Sequence, residues 1–220
     1  MLLFDIGANR GDAVLAGLGR GYNVIAIEAA PLIYKELVKN FIYDKFVIPL
    51  KFAVSDKDNE SVEFYECEED GLSTLNKKWL TSDTMPYNGK GYRSIKVNTI
   101  TIDTLAKIYG NPDLIKIDVE GAEWSVLRGM TKKYGTISFE WTDVTIKEHE
   151  KQIKYLEKLG YKEVGPQFIV NHLEEPTEWF PIKGFKLSDW VSNNKDKWEN
   201  GDWKIANLRP TADVGMVWLS

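Results

Sequence analysis

An α/β fold built on a doubly wound, largely parallel sheet is the class this sequence predicts, and three observations predict it. Short apolar runs alternate with stretches of helical periodicity, with no internal repeat or low-complexity tract. The first run ends in the glycine turn Gly7-Ala8-Asn9-Arg10-Gly11 and passes directly into a helical pattern. The second run ends in an acid, Glu28, roughly twenty residues after that turn, the spacing of an adenosine-binding βαβ unit.

Taken in order, buried-type strands are predicted at residues 2–6, 23–28, 46–54, 114–119 and 136–141. Helices are predicted at 12–18, 32–40, 102–109, 123–130 and 147–159, each ending near a glycine, an asparagine or a turn. The closing "DVGMVWLS" is a further strand, able to pair with one that starts near Tyr161. Two stretches break the alternation, 66–96 and 171–210, the second carrying Trp179, Trp190, Trp198 and Trp203. Both are expected to be acceptor-side insertions in a single domain spanning 1–220.

Composition narrows the function. With 220 residues and 43% hydrophobic content the chain can bury a sizeable core, and its net charge of −5 argues against a surface made to neutralise nucleic-acid phosphates. No run is apolar and long enough to span a bilayer or act as a signal peptide, and the single Cys67 has no partner for an internal disulfide. A reducing, cytoplasmic setting is expected. Two histidines and one cysteine, far apart, cannot form a structural zinc site, so any metal would be held by carboxylates.

At the first turn Gly7 lets backbone approach a ligand, and Gly11 opens a helix whose free N–H groups face the same place; the same pattern also suits an ordinary tight βα connection. Glu28, at a strand end, can accept hydrogen bonds from ribose hydroxyls, or can be a solvated or helix-capping carboxylate. A dinucleotide site needs G-x-G-x-x-G, but its middle glycine is Asn9 here, and Asp5 in the strand would repel a pyrophosphate. The zwitterionic tail and sulfonium of S-adenosylmethionine fit that turn better. There is no G-K-[ST] phosphate loop. In "DLIKIDVEGAEWSVLRGM", residues 113–130, Asp118, Glu120 and Glu123 crowd the end of a buried strand. That is where an open α/β sheet binds ligands, although Glu120 or Glu123 could simply cap the next helix.

"FDIGANRGD", "IAIEAAP", "FAVSD", "TITIDTL" and "LIKIDVEGAEWSVLRGM", in this order over roughly residues 3–141, resemble the motifs of the FkbM-type methyltransferases. The resemblance implies a class I methyltransferase fold, a Rossmann-like seven-stranded sheet, mostly parallel with an antiparallel last strand. It implies S-adenosylmethionine as cofactor, with Asp5, Gly7, Asn9 and Gly11 on the methionine part, Glu28 on the ribose, Ala53 to Ser55 at the adenine edge and Asp118 beside the methyl group. It also implies O-methylation of a sugar, a glycan or a related natural product, and matches "GLSTL", residues 71–75, to a hydroxyl-rich middle element. The chain begins only a few residues before the first motif, without the helices that commonly cover the cofactor in this family. It is expected to be a minimal enzyme or one module of a longer glycan-modifying protein.

A sugar hydroxyl must lose its proton during transfer, which calls for a general base or a cation. The candidates are Asp118, Glu120, Glu140, His149 and His172, with His172 the better histidine because it opens the second insertion. Asp118 and Glu140, from adjacent strand ends, could instead hold Mg²⁺. Tryptophans of the second insertion could stack on a carbohydrate acceptor or could be core. Three other readings stay open: methylation of a non-sugar natural product or peptide, a nicotinamide-dependent oxidoreductase, and a noncatalytic glycan-binding module.

Overall fold

The computed structural model describes residues 1–69, 71–85, 87–168, 173–200 and 214–220, the side chains of 195–200 and 214 excepted. The central sheet contains β1 (Leu2–Ile6), β2 (Asn23–Ile27), β3 (Val47–Leu50), β7 (Leu114–Ile117), β8 (Thr136–Thr142), β9 (Glu163–Phe168), β10 (Phe180–Pro181) and β11 (Val214–Leu219). Their order across the sheet is β10-β9-β11-β8-β7-β1-β2-β3. From β3 to β8 every pairing is parallel, and β11 lies antiparallel between β8 and β9. This is the predicted mostly parallel sheet with its antiparallel last strand, and the expected partner of that strand near Tyr161 is β9. The short β10 makes eight strands rather than seven.

Alternation along each strand feeds two hydrophobic layers. Phe4, Ile6, Ile25, Ile27, Ile115 and Ile117 point to the face covered by α4 (Ile102–Tyr109), α5 (Glu123–Arg128), α6 (Ile146–Leu159) and α7 (Leu187–Asn200). Leu3, Val24, Ala26 and Leu114 point to the other, with residues of α1 (Asp12–Gly19) and α2 (Pro31–Phe41). Strands buried on both faces read as continuous apolar runs, which is why β1, β2, β7 and β8 are legible in the sequence. The helices form for local reasons as well. Thr101 caps α4 by accepting the Thr104 N–H at 3.1 Å, Pro31 opens α2, and α6 stops at Gly160, held at φ 108.

The run predicted as one strand over 46–54 divides between two sheets. Its first half, β3, is the edge of the main sheet, where Pro49 lacks only an outward N–H; its second half, β4 (Ala53–Val54), joins a small three-stranded sheet as its edge. The hairpin of that sheet, β5 (Ser61–Cys67) and β6 (Tyr92–Ile100), pairs antiparallel over seven positions. The first predicted insertion therefore begins and ends in the strands of this hairpin, with α3 (Lys77–Thr81) between them. A separate apolar cluster of Leu72, Trp79, Leu80 and Tyr87 anchors it. Of the second insertion, residues 173–200 contribute β10 and α7; His172 and Trp203 lie outside the described residues.

Candidate active site

A crevice of about 340 Å³ opens beyond the C-terminal ends of β1, β2 and β7, where the order of the sheet reverses, within the size range of small-molecule sites of about 300–1,000 Å³. The turn after β1 forms its floor. Gly7 and Ala8 donate their N–H groups to the Ile27 carbonyl at 2.9 and 3.0 Å, which ties the turn to the end of β2. Gly7 sits at φ 77, and a Cβ there would lie 1.8 Å from the Asp118 carbonyl oxygen, so this residue must be glycine for the β1 and β7 ends to meet. Asn9, also left-handed at φ 47, lines the crevice and turns its N–H to the Glu28 carboxylate at 3.0 Å.

Glu28 is the fixed acceptor of the site. Its other oxygen accepts the Ala30 N–H at 2.7 Å, and the side chain is almost fully buried at the crevice wall. Burial pushes its pKa above the usual carboxylate range, opposed by the amides of Ala30, Asn9 and Ala29 and by the Lys116 ammonium. Each carboxylate oxygen has two acceptor sites, so capacity remains on the crevice side after these two bonds. Beside it Ile33 of α2, Ala53, Val54 and Phe64 of the small sheet, and Phe52 and Leu75 of the connecting loops form an apolar wall.

Beneath the floor lies a buried charge cluster centred on a residue that the sequence reading passes over. Lys116 on β7 is the cross-strand partner of Asp5 on β1, and its Nζ lies 3.4 Å from Asp5 and 3.3 Å from Asp118, with a hydrogen bond to the Gly7 carbonyl at 3.3 Å. Burial alone would lower its pKa, but the carboxylates of Asp5 and Asp118 outweigh that and hold it above the ordinary lysine value. Lys116 lines the crevice; Asp5, fully buried, does not. A lysine inside the apolar run "LIKI" is the signal that could have found it, since such a residue needs a buried counter-charge.

Asp118 and Glu120 line the crevice, and Glu140 on β8 does not, but one oxygen from each of the three lies within 4.8 Å of the other two. The loop after β7 creates this cluster: Glu120 takes φ 54, Gly121 φ 81, and the buried Glu123 accepts the N–H groups of Val119 and Gly121 at 3.4 and 3.2 Å. Burial raises the Glu123 pKa to about 7, and Asp118 adds to the shift. Glu123 thus closes the loop ahead of α5 rather than capping the helix, whose N-cap is Ala122 with no side-chain hydrogen bond. Trp79 donates its indole N–H to Glu120 at 3.0 Å, and Asn76 donates to the Gly121 carbonyl at 3.0 Å. Nothing in the sequence points to Trp79, which lies 41 positions from its partner.

Of the other residues singled out from sequence, Gly11 and Ser55 do not line the crevice. Gly11, at φ 102, packs under Phe41, whose ring a Cβ would meet at 2.2 Å. The Ser55 hydroxyl turns to Ser125 on α5 at 3.0 Å. His149 is buried in the scaffold: its Nε2 faces the Thr142 N–H at 3.2 Å and the Thr145 hydroxyl at 2.8 Å, and its Nδ1 faces Gln152 at 2.9 Å. Trp190 packs on Phe168 and Trp141 at centroid distances of 5.0 and 6.5 Å, and Trp179 packs against the cluster that holds Leu3 and Trp218. Neither tryptophan lines the crevice, and both rings pack within the scaffold, in keeping with the core alternative that the sequence left open.

The methyltransferase FkbM domain is matched over residues 5–163. The chain belongs to the FkbM methyltransferase family. Membership makes this FkbM protein an S-adenosylmethionine-dependent methyltransferase and leaves the nicotinamide alternative without support. No curated protein sequence matches the chain. Among solved structures it is similar to Aeropyrum pernix fibrillarin with bound S-adenosyl-L-methionine, at 10% identity and a TM-score of 0.46, over 99% of this chain and 65% of that one. It is also similar to the precorrin-6y C5,15-methyltransferase of Geobacter metallireducens, at 13% identity and a TM-score of 0.43, over 100% of this chain and 79% of that one. Likenesses at these scores carry nothing about reaction or acceptor. No helix among the described residues is long and apolar enough to cross a membrane.

Proposed function

We propose that this FkbM methyltransferase transfers a methyl group to a hydroxyl of a sugar or glycan, and that the crevice at the β1, β2 and β7 ends holds S-adenosylmethionine. The observation that carries the cofactor site is the pairing of Glu28, fixed by two backbone amides with acceptor capacity to spare, with an apolar wall for a flat purine. Bound S-adenosylmethionine supplies an electrophilic methyl group on a sulfonium. Glu28 would accept the ribose hydroxyls, while Phe64 and Ile33 would flank the adenine with Ala53 at its edge. Asn9 and the turn at Gly7 would face the methionine portion, with Asp5 acting through Lys116 rather than by contact.

Asp118, Glu120 and Glu140 favour transfer to oxygen, because a hydroxyl acceptor must give up a proton and these carboxylates stand together where Asp118 and Glu120 line the crevice. One of them would take that proton while the others orient the acceptor. The same three oxygen donors fit Mg²⁺, which prefers carboxylate oxygens and would lower the hydroxyl's pKa if held there. Support for a carbohydrate comes from the sugar and natural-product chemistry that the FkbM resemblance implies. It does not come from Trp179 or Trp190.

Incubation of sugars, glycans, peptides and small phenols with methyl-labelled cofactor tests the reading. Label is expected in carbohydrate hydroxyls; label confined to peptides or phenols would overturn the acceptor class and leave the methyltransferase activity standing. Loss of labelling on chelation, with recovery on added Mg²⁺, would assign the carboxylates to a metal. Insensitivity to chelators would assign one of them as the base.

A further inference from the structure

We propose that Trp79 is a positioning residue for the methyl-transfer end of the crevice, its indole N–H holding the Glu120 carboxylate towards Asp118 and Glu140. The inference rests on the reading of the crevice as the S-adenosylmethionine site, and three observations carry it. The indole Nε1 donates to Glu120 Oε2 at 3.0 Å in a contact buried on both sides, with Trp79 2% and Glu120 9% exposed. A hydrogen bond to a buried charge fixes a side chain far better than one in solvent. The indole ring also lies flat on Gly121, where a Cβ would come 2.6 Å from Trp79 Cε3, so the loop that turns Glu120 into its left-handed conformation is shaped around this ring.

The third observation is where Trp79 comes from. It stands on the short α3, which Asn76 ties to the Gly121 carbonyl, while Gly71, Ser73 and Leu75 of the same segment line the crevice opposite Asn9 and Glu28. One stretch of chain therefore roofs the cofactor side and sets a carboxylate on the transfer side. The segment expected from sequence to be an acceptor-side insertion holds the two sites in register.

Two ligands separate positioning from support. S-Adenosylhomocysteine carries no charge where the methyl group sat. Sinefungin carries an amine in place of the sulfonium and its methyl, so its ammonium reports the carboxylates around that point. Calorimetry on the full chain is expected to give Trp79→Phe, which keeps a ring on Gly121 and removes the N–H, an S-adenosylhomocysteine affinity within about twofold of wild type. Sinefungin affinity is expected to fall roughly tenfold, the size of one charge-assisted contact. Glu120→Ala should show the same selective loss, and Trp79→Phe added to it should cost nothing more.

Equal weakening of both ligands, no weakening of either, or additive losses in the double variant would overturn the proposal. A wild-type chain that binds neither ligand would overturn the cofactor site itself, a separable failure. Should Trp79→Phe not fold, tryptophan-selective ¹⁵N labelling reads the contact in the wild-type and Glu120→Ala proteins. Of the chain's eight indole N–H groups, one should lose its protection from hydrogen exchange in Glu120→Ala, and loss at none contradicts the proposal.

Discussion

Glu28 and His149 illustrate two uses of a buried titratable side chain. Glu28 is bound to the amides of Asn9 and Ala30 yet still borders the crevice, so Glu28→Gln should leave the turn in place and weaken S-adenosylhomocysteine binding. Loss of a charged acceptor is worth about 1.5–3 kcal/mol, so calorimetry should read a drop of roughly ten- to a hundredfold. Unchanged affinity would remove Glu28 from the site. His149 has no such border. Burial lowers its pKa from 6.5 to about 4, against the pull of the Gln152 hydrogen bond. The unfolded chain takes up a proton on His149 below pH 6.5 and the folded chain does so only near pH 4. The stability that the neutral ring contributes is thus complete above the first value and falls as pH drops towards the second. Denaturant unfolding at pH 7.5 and 4.5 should lose on the order of 3 kcal/mol more in the wild type than in His149→Gln. Equal losses would mean that the ring titrates in solvent.

The turns between elements decide whether the strand ends meet. A Cβ on Gly7 points at the Asp118 carbonyl, not into the crevice, so a substitution there acts by prising β1 from the β7 loop. Gly7→Ala should destabilise the fold by about 3 kcal/mol or more, with ligand affinity lost as a consequence. Gly19→Ala, in α1 with nothing within 4 Å of the added carbon, should be neutral or stabilising by up to about 1 kcal/mol. Thermal unfolding of the pair checks the assignment, and equal shifts would contradict it. The β5–β6 hairpin shows where sequence reading of elements failed. "SVEFYEC" alternates polar and apolar residues only over its first four positions before Glu66 turns inward, and that short signal, with the glycines that follow, reads as a loop. Strands buried on both faces, such as "LLFDI", have no such ambiguity.

For the molecule as a whole, what was legible was whatever the chain keeps close along the sequence. The glycine turn, Glu28 at the β2 end and the acids after β7 are each local to one strand end, and the parallel order of the sheet then brings them to one crevice. What was not legible depends on partners distant in sequence. Lys116 makes sense only once β1 lies beside β7, and Trp79 only once the hairpin folds back over the Glu120 loop. Trp179 and Trp190 stayed ambiguous for the converse reason, since their count and polar neighbours said nothing of the two separate clusters that receive them. The central claim is that the crevice is built around an adenosine-bearing cofactor whose reacting end faces Asp118. The crystal structure of the chain with S-adenosylhomocysteine tests it most directly. The account predicts ribose hydroxyls on Glu28, adenine between Ile33 and Phe64, and sulfur towards Asp118; a ligand seated elsewhere, or a ribose away from Glu28, would contradict it.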